Sequence, residues 1–220
     1  MPNSVTFQSV TARSPSIKVS LYPVAQDRRA LGGGSIEGIG RAPRFTAALD
    51  GQSFQDSRPG QAETSHAQFF DFLLDWLARD LPQVTVAAAG HRVVHGGTRF
   101  AAPVLIDDEI FSELERLIPL APLHQPHNLA AIRALRERTP DIPQVACFDT
   151  AFHRSIPERD QLYGLPLKFA EEGLRRYGFH GLSYEFIAAS LPRYDRTAAA
   201  GRTVVAHLGN GASLCALKAG

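Results

Sequence analysis

Apolar and polar residues alternate over 4–10 (SVTFQSV) and 16–22 (SIKVSLY), the pattern of two half-buried strands, with the polar TARSP between them as a connecting turn. The pattern then weakens. From Gln26 to Ser65, with Gly32-Gly33-Gly34 and scattered prolines, only short strands and long loops are expected. Helical spacing takes over at 66–80, where Phe69, Phe70, Leu73, Leu74 and Leu77 recur on one face and Pro82 closes the element. VTVAAAGHRVVHGG reads next as two strands broken at Gly90 and closed by Gly96-Gly97.

A second helix is expected over 109–118, capped by Asp107 or Asp108, with Ile110, Phe111, Leu114 and Leu117 as its stripe. A third, over 126–138, opens on Pro126 and ends in arginines, as the helix dipole favours. QVACF at 144–148 is a short buried strand that delivers Asp149 at its C-terminal end. A helix over 183–191 follows the loop YGFHG, with Ser183 as a plausible N-cap. The chain finishes in two β-rich runs around Asn210-Gly211, a strong hairpin signal. Strands and helices mixed in this order indicate an α/β architecture. The last strand has nothing after it to cover its edge, which suggests a continuation beyond residue 220.

Composition removes several classes of function. A net charge of +1 supplies no field that favours nucleic acid or an anionic membrane. No run of about 18 apolar residues suits a membrane span, and the first residues carry no basic-then-apolar leader, so a cytoplasmic location is expected. Cys147 and Cys215 lie in apolar strand-like runs and read as buried thiols of a reducing compartment.

Five segments carry residues suited to chemistry. In GHRVVHGG (90–97), His91 and His95 stand four apart. The glutamate of a helical zinc motif is missing, and the surrounding valines and glycines are poor helix formers, so a metal pair is disfavoured. Arg92 can fork onto a carboxylate or phosphate from a strand end, or be an ordinary structural arginine. In APLHQPHNL (121–129) two prolines stiffen a loop that either presents Leu123 to a small apolar group or tucks it into the core. Asp149 in VACFDTAFH sits at a strand's C-terminal end, where α/β proteins place catalytic groups. It can hold Mg²⁺ through water, accept a proton or cap the next helix. His180 in RRYGFHGLSYEF is framed by glycines ahead of a helix, so its ring can face a cleft. HLGNGAS (207–213) is either a phosphate-cradling turn of backbone N–H groups or a bare hairpin.

Taken in series, HRVVHGG, APLH-P-N-L, FDTAFH, RRYG-HG-S and HLGNG closely resemble the acetate kinase family, from about Ile17 to the last residue. That family shares a superfamily with sugar kinases, actin and the heat-shock ATPases. The resemblance implies a ribonuclease H-like duplicated-domain ATPase fold. Residues 1–150 would form the acetate/phosphate-side domain, and 151–220 the incomplete start of the nucleotide-binding domain. It implies transfer of a phosphoryl group from ATP to acetate, giving acetyl phosphate and ADP, with Mg²⁺ or Mn²⁺. Arg92 would bind the acetate carboxylate and the phosphoryl group, and Val94 and Leu123 would line the methyl pocket. Asp149 would be the catalytic acidic residue, and His180 would hydrogen-bond the phosphoryl group in transit. His207, Leu208, Gly209, Asn210 and Gly211, with Lys18, would hold nucleotide phosphates. Relatives of this family are homodimers.

The sequence also departs from the family. Relatives are about twice as long, and the second catalytic arginine, a metal-binding glutamate and the adenosine pocket lie in the part beyond this chain. The opening phosphate hairpin, usually close to Asn-x-Gly-Ser-Ser-Ser-x-Lys, reads Thr11-Ala12-Arg13-Ser14-Pro15-Ser16-Ile17-Lys18, so Thr11 stands at the metal-side asparagine. Tyr184 stands where a histidine is common, a change read as peripheral. Two readings follow: an acetate kinase, or a truncated, catalytically dead remnant that at most binds acyl phosphate or a partner.

Overall fold

A computed structural model describes residues 3–11, 16–24, 29–49, 51–56, 60–209 and 211–220, with side chains described from residue 16 onward. The TARSP turn and Asn210 therefore lie outside the described residues, as does the side chain of Thr11. The chain divides into two compact units, 1–93 with 104–147, and 94–103 with 148–220.

The first unit is built on a sheet of order β5-β4-β3-β2-β1-β6-β8-β7. Its first five strands are β1 (Asn3–Thr11), β2 (Ser16–Pro23), β3 (Gly32–Glu37), β4 (Arg44–Leu49) and β5 (Gln52–Asp56), each antiparallel to the one before it. Strands β3, β4 and β5 are short strands, as expected for that stretch, but they pair in a continuous meander with short connections rather than long loops. The glycine triplet hid β3, because glycine carries no side chain from which alternation can be read. A Cβ on Gly32 would lie 2.1 Å from the Ala48 carbonyl oxygen, so the close approach of β4 requires the bare backbone there.

Helix α1 (His66–Asp80) begins at Ser65, whose hydroxyl accepts from the Gln68 N–H while Gln68 Oε1 accepts from the Ser65 N–H, a reciprocal cap. It buries Phe69, Phe70, Leu73, Trp76 and Leu77. Leu74 packs against the same core while partly buried, and Trp76 joins the face that helical spacing had given to five other residues. Its ring meets Phe45 and Phe54 edge-on at 5.0 and 5.3 Å. These side chains pack with Ile17, Val19 and Leu21 of β2, Ile36 of β3, and Phe45, Ala47 and Leu49 of β4. One face of the meander is therefore a core. On the other face β4 exposes Arg44, Thr46 and Ala48.

Strand β6 (Val84–Val93) runs unbroken through Gly90, parallel to β1. Backbone pairing with β1 carries it past the glycine, so the expected break does not occur. The register slips instead between Val5 and Thr6: Val5 pairs Val86 and Thr6 pairs Ala88, leaving Ala87 as a bulge. Val84 and Val86 pack on the core before the bulge, and Ala89 does so after it. The bulge thus changes which parity faces inward, and His91 and Val93 are buried along with Ala89.

Strand β7 (Val104–Leu105) pairs antiparallel with β8 (Gln144–Phe148). Between them lie α2 (Asp108–Arg116), capped by the Asp107 carboxylate on the Ile110 N–H at 2.8 Å, and α3 (Gln125–Arg138). Only Leu114 of the expected α2 stripe is fully buried.

The second unit contains α4 (Lys168–Glu171), α5 (Gly181–Ser190), α6 (Arg196–Ala200) and the antiparallel hairpin β9 (Arg202–Leu208)–β10 (Ala212–Lys218). Helix α5 starts earlier than expected, with His180 rather than Ser183 at its N-cap. No helix among the described residues is long and apolar enough to cross a membrane.

Candidate active site

In the first unit the structure aligns two of the expected ligands. Lys18 pairs with Val10 across β2–β1, and His91 pairs with Ser9 across β1–β6, so Arg92 follows one residue on, in the row of Val10 and Lys18. Two strand spacings separate them, roughly 10 Å. Lys18 is exposed between buried Ile17 and Val19, and Arg92 is half-buried between buried His91 and Val93. Both cations therefore lie off the core face at one end of the sheet. Leu123 sits in the turn before α3 and is 71% exposed, not tucked into the core. The backbone of Thr11 ends β1, paired with Ile17.

His91 is committed inside the fold. Its Nε2–H donates to Gln144 Oε1 at 2.8 Å, Nδ1 has no partner, and burial pushes its pKa down to about 4.

The second unit gathers the other half of the expected set. Asp149 and Thr150 follow β8 and are each 1% exposed. The Asp149 carbonyl accepts from the Gly181 N–H at 2.8 Å, fixing the start of α5 against the aspartate loop. Thr150 Oγ1 accepts from the Gly96 N–H at 2.9 Å, which ties the segment carrying half-buried Val94 to that loop. His95 Nδ1 accepts from the Gly97 N–H at 2.9 Å, and burial lowers its pKa to about 4. Its ring packs edge-on to Tyr177 at 4.4 Å. The described residues contain no cluster of three or more His, Cys, Asp or Glu suited to a metal.

His180 is held in the left-handed region, with φ of 57°. That conformation is uncommon for a residue other than glycine and costs energy, which the surrounding contacts offset. Its ring stacks on His207 at 4.2 Å, with 19° between the planes. Nδ1 lies 2.7 Å from Ser213 Oγ, and His207 Nδ1 lies 3.1 Å from Ser183 Oγ. The hairpin explains the arrangement. Ser213 and His207 are cross-strand partners, so they lie side by side on the covered face, and the first turn of α5 meets them there. Gly178 passes so close to His153 that a Cβ would fall 2.3 Å from its ring, and His153 Nε2–H donates to the Phe179 carbonyl at 3.0 Å.

Tyr184, read from the sequence as peripheral, is among the most buried side chains, and its hydroxyl bonds Ser213 Oγ. Sequence reasoning gave Ser213 no role of its own, although it closes the segment HLGNGAS. Leu208 is 78% exposed, and Gly209 and Gly211 flank the loop. Cys147 and Cys215 occupy strands as expected but are half-buried, and burial raises the Cys215 thiol pKa.

The Acetokinase family model matches residues 7–220. An acetate kinase of Methylocella silvestris is 44% identical over 96% of this chain and 55% of its own length, and one of Rhizobium meliloti is 47% identical over 96% and 54%. The Porphyromonas gingivalis acetate kinase structure superposes with a TM-score of 0.80 at 32% identity, covering 98% of this chain and 55% of that one. A Francisella tularensis propionate kinase gives 0.81 at 29% identity, covering 99% and 55%. The chain thus spans about half the length of the curated relatives it matches. Its α/β architecture is the actin-type, ribonuclease H-like ATPase fold of those kinases. The chain belongs to the acetokinase family.

Proposed function

We propose that these 220 residues form the acetate-side half of an acetate kinase, which transfers a phosphoryl group reversibly between ATP and acetate. The observation that carries the proposal is the cluster in the second unit. Asp149 and His180 are tied there through the Gly181 N–H, and His180 is stacked on His207 at the mouth of the HLGNG hairpin. Acetate is already an anion, so its oxygen needs no strong base to attack phosphorus. The task is in-line positioning and donors around the equatorial oxygens. Arg92 forks onto the carboxylate and phosphoryl oxygens, His180 donates to the phosphoryl group, and Val94 and Leu123 bound the methyl pocket. Propionate differs by one methylene, worth about 1–3 kcal/mol of discrimination in such a pocket. Lys18 and the backbone of 207–211 hold nucleotide phosphates.

Mg²⁺ usually takes one or two carboxylates together with phosphate oxygens. Asp149, the one buried carboxylate among the described residues, suits that demand, and those residues offer no full protein cage; Thr11, at the family's metal-side asparagine, is the second candidate by resemblance alone. The ion neutralises phosphate charge when bound. Asp149 would hold such an ion through water.

The competing reading, a catalytically dead remnant that binds acyl phosphate, rests on the chain spanning about half of its relatives. A hydroxamate assay with ATP, Mg²⁺ and acetate separates the two. Turnover within the usual kinase range, about 1–100 s⁻¹, supports the enzyme. No turnover with calorimetric binding of acetyl phosphate supports the remnant. In either case Arg92→Ala abolishes acetyl phosphate binding, and unchanged affinity removes Arg92 from the site.

A further inference from the structure

We infer that Ser213, anchored by Tyr184, locks His180 in the tautomer that carries its hydrogen on Nε2, and so acts as a positioning residue for phosphoryl transfer. The inference rests on the reading of His180 as the phosphoryl donor, but its geometry stands within one unit of the fold.

Ser213 Oγ lies 2.7 Å from His180 Nδ1 and also bonds the Tyr184 hydroxyl. A serine hydroxyl owns one hydrogen and can give it to only one of these partners. Suppose it went to Tyr184. The phenolic hydrogen would then need another acceptor, yet Tyr184 is 1% exposed and its hydroxyl is paired with Ser213. A buried hydroxyl hydrogen without an acceptor is strongly disfavoured. Tyr184 therefore donates to Ser213, and Ser213 donates to Nδ1. A nitrogen that accepts has no hydrogen of its own, so the neutral ring carries it on Nε2. Relative acidity points the same way, since a phenol is the strongest acid of the three groups and imidazole the strongest base.

The relay also needs a fixed ring, and the stack on His207 supplies it, with His207 itself held by Ser183. The consequence is specific. With the hydrogen on Nε2, His180 offers a phosphoryl oxygen a donor; with the hydrogen on Nδ1, it would offer a lone pair and repel that oxygen. The chain's tyrosine at 184 fits this role, because a phenol donates in one sense only, whereas a neutral histidine there would have two tautomers of its own.

Long-range ¹H–¹⁵N NMR of the histidine-labelled 220-residue chain at about pH 8, above the ordinary histidine range, tests the proposal. His180 is picked out from the eight histidines by the resonances lost in His180→Gln. The unsubstituted chain is expected to show His180 as a single Nε2–H tautomer, Ser213→Ala a mixture, Ser213→Thr the original tautomer, and Tyr184→Phe a partial shift. An Nδ1–H ring in the unsubstituted chain overturns the proposal without any variant having to fold, and so does an unchanged tautomer in Ser213→Ala. Acetyl phosphate is then added to the unsubstituted chain. A locked tautomer whose Nε2 signal moves supports both readings. A locked tautomer that acetyl phosphate leaves untouched supports the lock and overturns the assignment of His180 as phosphoryl donor.

Discussion

His91 and His95 stand four apart among residues that disfavour a metal pair, and the fold uses each as a neutral, buried hydrogen-bonding ring. Both have pKa values near 4, lowered by burial from the ordinary 6.5. Between those values the unfolded chain binds more protons than the folded one. The stability each neutral ring brings is thus present above about pH 6.5 and is lost as pH falls towards 4. Urea denaturation should show stability dropping by roughly 2 kcal/mol per histidine between pH 7 and pH 5, and His91→Gln should flatten part of that slope. A second residue-scale expectation concerns Gly181, where a Cβ would fall 2.3 Å from the Asp149 carbonyl oxygen. Gly181→Ala must move either the aspartate loop or the start of α5. It should cost about 1–3 kcal/mol and shift the His180 NMR signals, whereas Gly164→Ala, with open space around it, should do neither.

At the scale of elements, the bulge at Ala87 decides where Arg92 lies. Side chains alternate along a strand, so if pairing ran straight through Ala87, with no residue bulged out, Arg92 would share the core face of Val84 and Val86. Deleting Ala87 removes the bulged residue itself and keeps Ala89, His91 and Val93 on the core parity, with Arg92 off it. Cooperative unfolding in urea with a change of less than about 1 kcal/mol is therefore expected. A loss of several kcal/mol would show that the strand needs the bend of the bulge as well as the parity it sets. Helix α1 provides a milder test: Ser65→Ala removes the hydroxyl half of its reciprocal cap and should lower the stability by about 1 kcal/mol. The bulge was not legible in the sequence. Register belongs to a pair of strands, and Val84–Val93 alone shows only an apolar run with a glycine in it.

For the whole molecule, the hairpin β9–β10 turns Thr203, Val205, His207, Ser213, Cys215 and Leu217 inward and leaves Val204, Leu208 and Leu214 at 68%, 78% and 73% exposure. Apolar surface of this kind favours self-association. Leu214→Lys should reduce light scattering of concentrated protein while keeping the hairpin register, and unchanged scattering would show that this face is not responsible. The sequence by itself determined the long helices, the closing hairpin, the α/β class and the family, because periodicity, caps and motif order are local properties. It also named Arg92, Asp149 and His180. Only the tertiary structure decided that the glycine triplet is a strand, that Lys18 and Arg92 share a row, and that Tyr184 reaches His180 through Ser213. Each of those depends on which backbone lies alongside which, and a sequence does not state that pairing at any one position.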